Sequence, residues 1–516
     1  MFSGLMFKQQ EAVTSLDFTF SVKTDNAGTS SSTQFKYPTI SGGSYNCVVD
    51  WGDGNTSTIT TYNDAAWTHT YSSAGTYTIK ISGVCTGIFM NGDNLKWLTI
   101  SNWGIFNPGN SGNWFLNCSN LTITATDVPS LTSVTTFAAA FKGCSAITTI
   151  PNIGTWNVSS ITTFASMFEG ATLFNSSINA WTISSATSFG SMFKNASTYN
   201  QSMNSWVLPS SLTNMASMFE GATAFDGNIT SWVFLTNLSL ASMFFNASNF
   251  NQAIGSWGGL NYVTNVTSLF RDATSFDQSL SSWNLSAVTT TANMFQGASG
   301  FNSAIPTFGT SLTNVTSMFR AATSFNQSIS SINTTNVTNF SSMFYEAISF
   351  NHSSITTLNT SKGSNFTSMF RGATSFNQNI NTSGSYWVIT SIGVVAVSSM
   401  FLDATAFNQD ISGWDVTAVA DTTDMFNGAT SFNQNLGAWL PFNLQNATRM
   451  FYGVTLSTAN YNAFLVALDN TVSFSDVVFD GGNSKYDSTT GGNDGTYARN
   501  DLITIWNWNI TDGGHV

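Results

Sequence analysis

A Met-Phe pair returns through more than half of this chain at a nearly constant interval, and no other feature restricts the fold so tightly. It stands at Met167-Phe168, Met192-Phe193, Met218-Phe219, Met243-Phe244, Met294-Phe295, Met318-Phe319, Met343-Phe344, Met369-Phe370, Met400-Phe401, Met425-Phe426 and Met450-Phe451, with Leu269-Phe270 as a variant. Successive pairs are 24 to 26 residues apart, except for a step of 31 into Met400. An earlier, degenerate unit surrounds Phe141. A period of this length marks a unit that recurs in space as well as in sequence.

Counting from the Phe of each pair gives the columns physical roles. Three residues on stands Ala, from Ala171 and Ala196 through Ala404 and Ala429; a column confined to a methyl group is closely packed against its neighbours. The residue before it is mostly Gly, Asn or Asp (Gly170, Asn195, Gly221, Asn246, Asp272), types that tolerate a left-handed turn. Six residues after the Phe comes a second aromatic column, Phe174 to Phe432, and the two columns hold 22 of the 43 Phe residues, so Phe enrichment belongs to the core. Asn or Asp follows directly (Asn175, Asn200, Asp226, Asn251, Asp277 and onward), expected to cap a turn through local backbone hydrogen bonds, repeated as a ladder. An aliphatic residue (Ile178, Ile229, Ile254, Ile329, Ile411) and often Trp (Trp181, Trp206, Trp232, Trp257, Trp283, Trp414, Trp439) complete the unit. One unit alone buries too little to offset the entropy of ordering it. The units must therefore stack, sharing aromatic faces and backbone hydrogen bonds, with an expected step of ~4.8 Å and a short helical turn at the Met-Phe segment.

Composition agrees. Only 8% of residues are charged while 14% are aromatic, and Ser, Thr, Asn and Gly fill the remainder, a mixture suited to β-coils closed by tight turns. A net charge of −12, with 14 Lys and Arg spread over 516 residues, argues against phosphate backbones and anionic membranes, so no nucleic acid partner and no membrane insertion are expected. The longest apolar run, 388–397, is far short of a membrane helix. Residues 1–12 lack the pattern of a signal peptide, and the C-terminus has no anchor-like tail. A virion component needs neither, so the expected location is a virion surface, with extracellular or cell surface as the alternative. Cys47, Cys85, Cys118 and Cys144 show no metal-ligand spacing. Cys118 and Cys144 lie one period apart, either a disulfide between neighbouring coils or two buried thiols.

The consensus Ser-Met-Phe-x-Gly-Ala-x-x-Phe-Asn-Gln-x-Ile-x-x-Trp resembles the BspA-type repeats, leucine-rich-repeat relatives of bacterial surface proteins and marine phage proteins, over residues 164–451. The segments 117–121 and 143–147 resemble a related variant built on Gly-Cys-Ser-x-Leu. The resemblance implies a solenoid used for adhesion or recognition and brings no catalytic residues. Upstream, Val48-Val49-Asp50-Trp51-Gly52-Asp53-Gly54, then His69-Thr70-Tyr71 and 74–81, are similar to the polycystic-kidney-disease (PKD) domain, which implies an immunoglobulin-like β-sandwich serving as a spacer or modest binding module.

The expected architecture is mainly β. An N-terminal segment (1–15) precedes a PKD-like sandwich (16–90), lead-in coils of degenerate repeats (91–150), a leucine-rich-repeat-like β-solenoid of about 12–13 coils (151–454) and a small α/β cap (455–516). In the cap, helical spacing covers 457–469, a strand 477–479, and a second amphipathic stretch 497–508.

Catalysis finds little support. His69, His352 and His515 lie in three different modules, and no nucleophile, phosphate-loop or dinucleotide motif is present. Asp50 and Asp53 with His69 could suggest a metal, but two carboxylates of a hairpin turn fall short of a cation's ligand count. Glu220 with Asp226, and Asp272 with Asp277, are the candidate carboxylate pairs, yet Asp226 and Asp277 replace ladder Asn residues and Asp272 a turn Gly. The column directly after Met-Phe varies freely in type and is expected to face solvent. From it Arg271, Arg320, Tyr345, Arg371 and Tyr452 are the candidate binding residues. The expected function is therefore non-enzymatic recognition or adhesion, without cofactor or metal, by a phage tail-fibre or decoration protein that binds host surface glycan or protein. A bacterial adhesin and a passive spacer are the alternatives. Other virion or envelope proteins, and further copies of the chain in a homo-oligomer, are the remaining expected partners.

Overall fold

The computed structural model describes residues 16–381, 387, 389, 395–489 and 494–516; the N-terminal segment 1–15 and most of the apolar run 388–397 lie outside them. The described chain is mainly β, with two α-helices and tandem repeats. It divides into two compact units, Met1–Pro209 and Ser210–Val516.

In the first unit, alternating apolar and polar residues make strands β1 (Phe18–Lys23), β3 (Thr39–Asp50), β4 (Thr56–Ile59) and β6 (Thr76–Ile88). With β7 (Trp97–Asn102) and β8 (Thr122–Ile123) they form one sheet in the order β4-β3-β6-β1-β7-β8. Its pairings are antiparallel except β7–β8. Strands β2 (Gln34–Lys36) and β5 (Thr68–Thr70) pair separately, also antiparallel. The β3–β4 turn holds Gly52 and Gly54 at φ of 79° and 91°, which only glycine adopts without strain. Strands β7 and β8, in the stretch expected to hold lead-in coils, extend the sheet beyond residue 90. Lys96 fastens this junction: it is fully buried, and its Nζ donates to the carbonyls of Ser30, Ser31 and Gln34 at 2.8–3.1 Å.

The repeats of both units share one hydrogen-bonding scheme. In the first, the N–H groups of Phe164, Ser166, Phe168 and Gly170 donate to the carbonyls of Ser188, Gly190, Met192 and Lys194, one repeat further on, at 2.7–2.9 Å. In the second, those of Ser317, Phe319 and Ala321 donate to Ser341, Met343 and Tyr345. Intervening N–H groups close tight turns within the repeat, as Ala322 does on Phe319 at 3.1 Å, so the expected helical turn is a run of turns joined laterally. Two residues per repeat have positive φ. One is the expected Gly/Asn/Asp position (Gly221 69°, Asp272 55°, Gly297 68°); the other is the residue before the Met, usually Ser (Ser217 58°, Ser242 55°, Ser317 53°). Short parallel strands β9 (Leu238–Ser239) with β10 (Val263–Asn265), and β11 (Asn284–Leu285) with β12 (Thr307–Phe308), join adjacent repeats on another edge.

Side chains follow the ladder inward. In the second unit the Met-Phe rings stack from Phe219 to Phe451 at 5.4–5.7 Å, wider than the expected strand spacing, with planes within 13° of parallel. The second column, Phe225 to Phe432, stacks at 5.8–6.2 Å. Every Ala of the small column is fully buried. The Asn ladder bonds the next repeat rather than its own turn: Oδ1 of Asp226, Asn251, Asp277, Asn302, Asn326 and Asn351 accepts from the main-chain N–H of the equivalent residue one repeat on, at 2.8–3.0 Å.

Edge-on rings end the stack. Helix α1 (Thr458–Thr471), capped by Ser457, places Phe464 perpendicular to Phe451 at 5.7 Å, and Phe479 meets Phe451 at 90°. Phe479 belongs to β13 (Val478–Asp480), which pairs in parallel with β14 (Asn509–Thr511); α2 (Gly495–Thr504) lies between them in sequence. The four cysteines are buried free thiols.

Candidate recognition surface

The column after Met-Phe sits at the outer end of the lateral ladder, so its side chains follow one another at the repeat step. It is not a freely varying solvated edge: neighbours in it pair by chemistry. In the first unit Lys142 bonds Glu169 at 2.9 Å. In the second, the Arg271 guanidinium lies over the Phe245 ring at 4.8 Å from its centre, with Nε 3.4 Å from Asp272. Arg320 and Arg371, one repeat to either side of Tyr345, place their guanidinium carbons 4.5 and 5.1 Å from its ring centre. A cation over an aromatic face is attracted by the ring's quadrupole, so Tyr345 holds two charges in register. All three side chains are half-buried, and neither arginine makes an ion pair among the described residues.

Of the five candidate residues, the structure thus unites Arg320, Tyr345 and Arg371. Arg271 belongs to a separate pair with Phe245, interrupted from the trio by Gln296, and Tyr452 stands alone at the last repeat, 59% exposed. Phe245 was not among the candidates; the signal for it was its place one period before Arg271 in the same column.

The other candidate chemistry is absorbed by turns and ladders. Asp226 and Asp277 accept the ladder N–H groups of Asn251 and Asn302, and Asp272 faces Arg271. Asp50 Oδ1 accepts from the Gly52 N–H at 2.9 Å, and Asp53 Oδ1 from Asn55 at 3.0 Å. His69, stacked on Trp51 at 4.8 Å, meets Asp53 Oδ2 through Nε2 at 2.8 Å. Burial pushes the Asp53 carboxyl up, but the hydrogen bonds from His69 and Asn55 outweigh it and hold the group below its usual range.

A protein family described as "Mycoplasma protein of unknown function, DUF285" matches residues 109–232, 228–312, 308–396 and 385–464. No curated protein and no solved structure matches the chain.

Proposed function

We propose, from the premise that this chain belongs to the DUF285 family, that it is a non-enzymatic recognition protein displayed on a surface, its repeats forming a leucine-rich-repeat-like β-solenoid that presents a rigid binding strip. The observation that carries this reading is the Arg320–Tyr345–Arg371 sandwich. In a chain of net charge −12, two guanidinium groups that form no close ion pair among the described residues are held against one ring on one edge. Rigid cationic and aromatic groups lose little entropy on contact, the property of binding hot spots. The fit is to a surface glycan or protein bearing carboxylate, sulfate or phosphate. The N-terminal sheet acts as a PKD-like spacer, which its Trp51–Gly54 turn and stacked His69 support.

The setting we favour is a phage virion that contacts its host; the family's description, which names Mycoplasma, favours a cell surface as the second reading. Immunogold electron microscopy with antibody to the chain separates the two. Binding of the whole protein to host cells should fall about tenfold or more in an Arg320→Ala/Arg371→Ala variant that keeps its Tm, as expected of hot-spot residues. Equal binding by the two proteins removes this strip from the function.

A further inference from the structure

The outer turn that precedes each Met-Phe strip changes character at the end of the stack. Nine residues before the Phe of the pair stand Ser286, Thr310, Thr335, Ser361 and Thr417. At four of these places the turn is Asn or Asp, any residue, then Ser or Thr. The Oδ1 of Asn284, Asn333, Asn359 or Asp415 accepts the N–H of the hydroxyl residue at 3.0–3.1 Å. In the last repeat the same turn reads Leu440-Pro441-Phe442. There the main chain alone supplies the bond, the Phe442 N–H donating to the Leu440 carbonyl at 2.9 Å. Neither new side chain enters the core: Leu440 is 47% and Phe442 44% exposed. Two polar positions have become apolar and stayed at the surface, a break in the local rule that packing does not require.

The next two layers continue it. The Ala447 N–H donates to the Val478 carbonyl as Val315 does to Asn339, and this register sets Phe474 after Phe442 as it sets Thr335 after Thr310. Asp476 in turn donates to the Trp506 carbonyl, and the Trp508 indole to the Phe474 carbonyl at 3.0 Å, which brings Ile505, the C-cap of α2, alongside Phe474. Phe474 is 37% and Ile505 67% exposed. Leu235, the other apolar residue of this column among the described residues of the second unit, is followed by Asn261 and Ser286. Single exposed apolar residues are ordinary; a contiguous run marks an interaction surface.

The charge around the run identifies its complement. Residues 403–516 hold twelve Asp and three Lys or Arg, a net of −9 out of the chain's −12. Arg449 and Arg499 are already bound to Asp424 and Asp512. Asp469 on α1, Asp476 two residues after Phe474, and Asp501 on α2 make no ion pair among the described residues. Burial, and then the neighbouring Asp501, push the Asp469 carboxyl above its ordinary range. A second copy of the chain or an anionic bilayer would bring like charge to these carboxylates, whereas a cationic surface relieves their repulsion.

We propose that Leu440, Phe442, Phe474 and Ile505 form an attachment surface for a basic partner protein, one that presents apolar side chains flanked by Lys or Arg. The surface shares no residue with the arginine–tyrosine strip and stands without it.

The probe is a helical peptide of Leu and Lys, with a Leu and Glu peptide of the same pattern as control, each titrated by calorimetry into the whole protein. The basic peptide should bind and the acidic one should not. Phe442→Ser/Phe474→Ser/Ile505→Ser, which extends the hydroxyl column to the end, should weaken binding about tenfold or more with Tm unchanged. Leu235→Ser should leave it intact. Asp469→Asn/Asp501→Asn should weaken it a few-fold and flatten its dependence on salt, and this variant decides the matter if the triple variant does not fold. Equal affinity in either variant, or binding of the basic peptide no stronger than that of the acidic one, overturns the proposal. So does self-association in sedimentation, or binding to vesicles of anionic lipid, that the triple variant abolishes.

Discussion

The N-terminal sheet and the two Phe columns of the second unit's repeats both bury their rings almost completely, yet they order those rings in opposite ways. In the sheet, Phe20 stacks on Trp97 at 4.3 Å and 20°, Phe35 meets the same ring at 74°, and Tyr45 meets Trp67 at 72°. In the repeats, equivalent rings are parallel within 13° across a 5.4–5.7 Å step. Antiparallel strands as distant in sequence as Phe18 and Ile81 give every core position of the sheet its own surroundings. The lateral ladder gives each repeat the surroundings of the one before. A sheet of that kind opens as a whole, whereas a stack transmits damage only to neighbours.

The same deletion made in both regions should separate them most sharply. Phe319→Ala and Phe20→Ala each remove a fully buried ring and should cost about 3–5 kcal/mol. By hydrogen exchange the first should expose the repeats beside Phe319 alone, while the second should raise exchange in β1, β3, β6 and β7 together. Uniform exchange throughout the second unit after Phe319→Ala would show that its repeats open as one.

A smaller effect probes how tightly the step is set. Ala322→Leu should lower stability to urea by about 1–3 kcal/mol through overpacking, and the same change at exposed Ala304 should be neutral. Smaller again, Asn326→Ala removes the acceptor for the Asn351 N–H and should cost about 1–2 kcal/mol. Asn326→Asp should be nearly silent at pH 7, because Asp226 and Asp277 already serve as acceptors in that column.

The least effect is expected at the Arg449–Asp424 pair, whose arginine is 57% exposed. The hydrogen bond from the Arg449 guanidinium, opposed by burial and assisted by Asn427, holds the Asp424 carboxyl below its usual range. A depressed carboxylate contributes above the ordinary Asp value and loses that contribution as pH falls through the lowered one. Acid unfolding of Asp424→Asn, followed by circular dichroism, should therefore lack a small part of the wild-type decline below about pH 4.

Features that recur were legible from the chain alone, because recurrence strips away the accidents of any one residue: both aromatic columns, the packed Ala and the Asn ladder are all visible as periods. What periodicity conceals is the direction of a bond. The ladder Asn residues reach to the next repeat, and nothing in a single unit separates that from a local cap. The positive φ of the Ser before Met was hidden because Ser, unlike Gly or Asn, is not a usual tenant of that region. Lys96 and Asp93, buried together with 0% and 2% exposure, were invisible because their partners lie some 60 residues away and one of the pair is satisfied by carbonyls. The pairing of Arg320, Tyr345 and Arg371 was present in the spacing; reading the column as unrelated side chains obscured it.

The main-chain N–H groups of the Met-Phe strip donate to the next repeat, while those of the Ser before the second Phe and of the ladder Asn donate to the previous one, so each repeat carries two different faces that complement each other. Within the second unit the final donors, Ala447 and Phe451, end on the carbonyls of Val478 and Asp480. Any whole repeat offers the same two faces as its neighbours. A gene of this kind can therefore gain or lose units by in-frame duplication or deletion and leave both ends chemically unchanged, whereas a fragment of a unit would bring unlike columns face to face. Length is thus the trait that such a lineage can vary most cheaply, and the interval of 24 to 26 residues is the quantum in which it must vary.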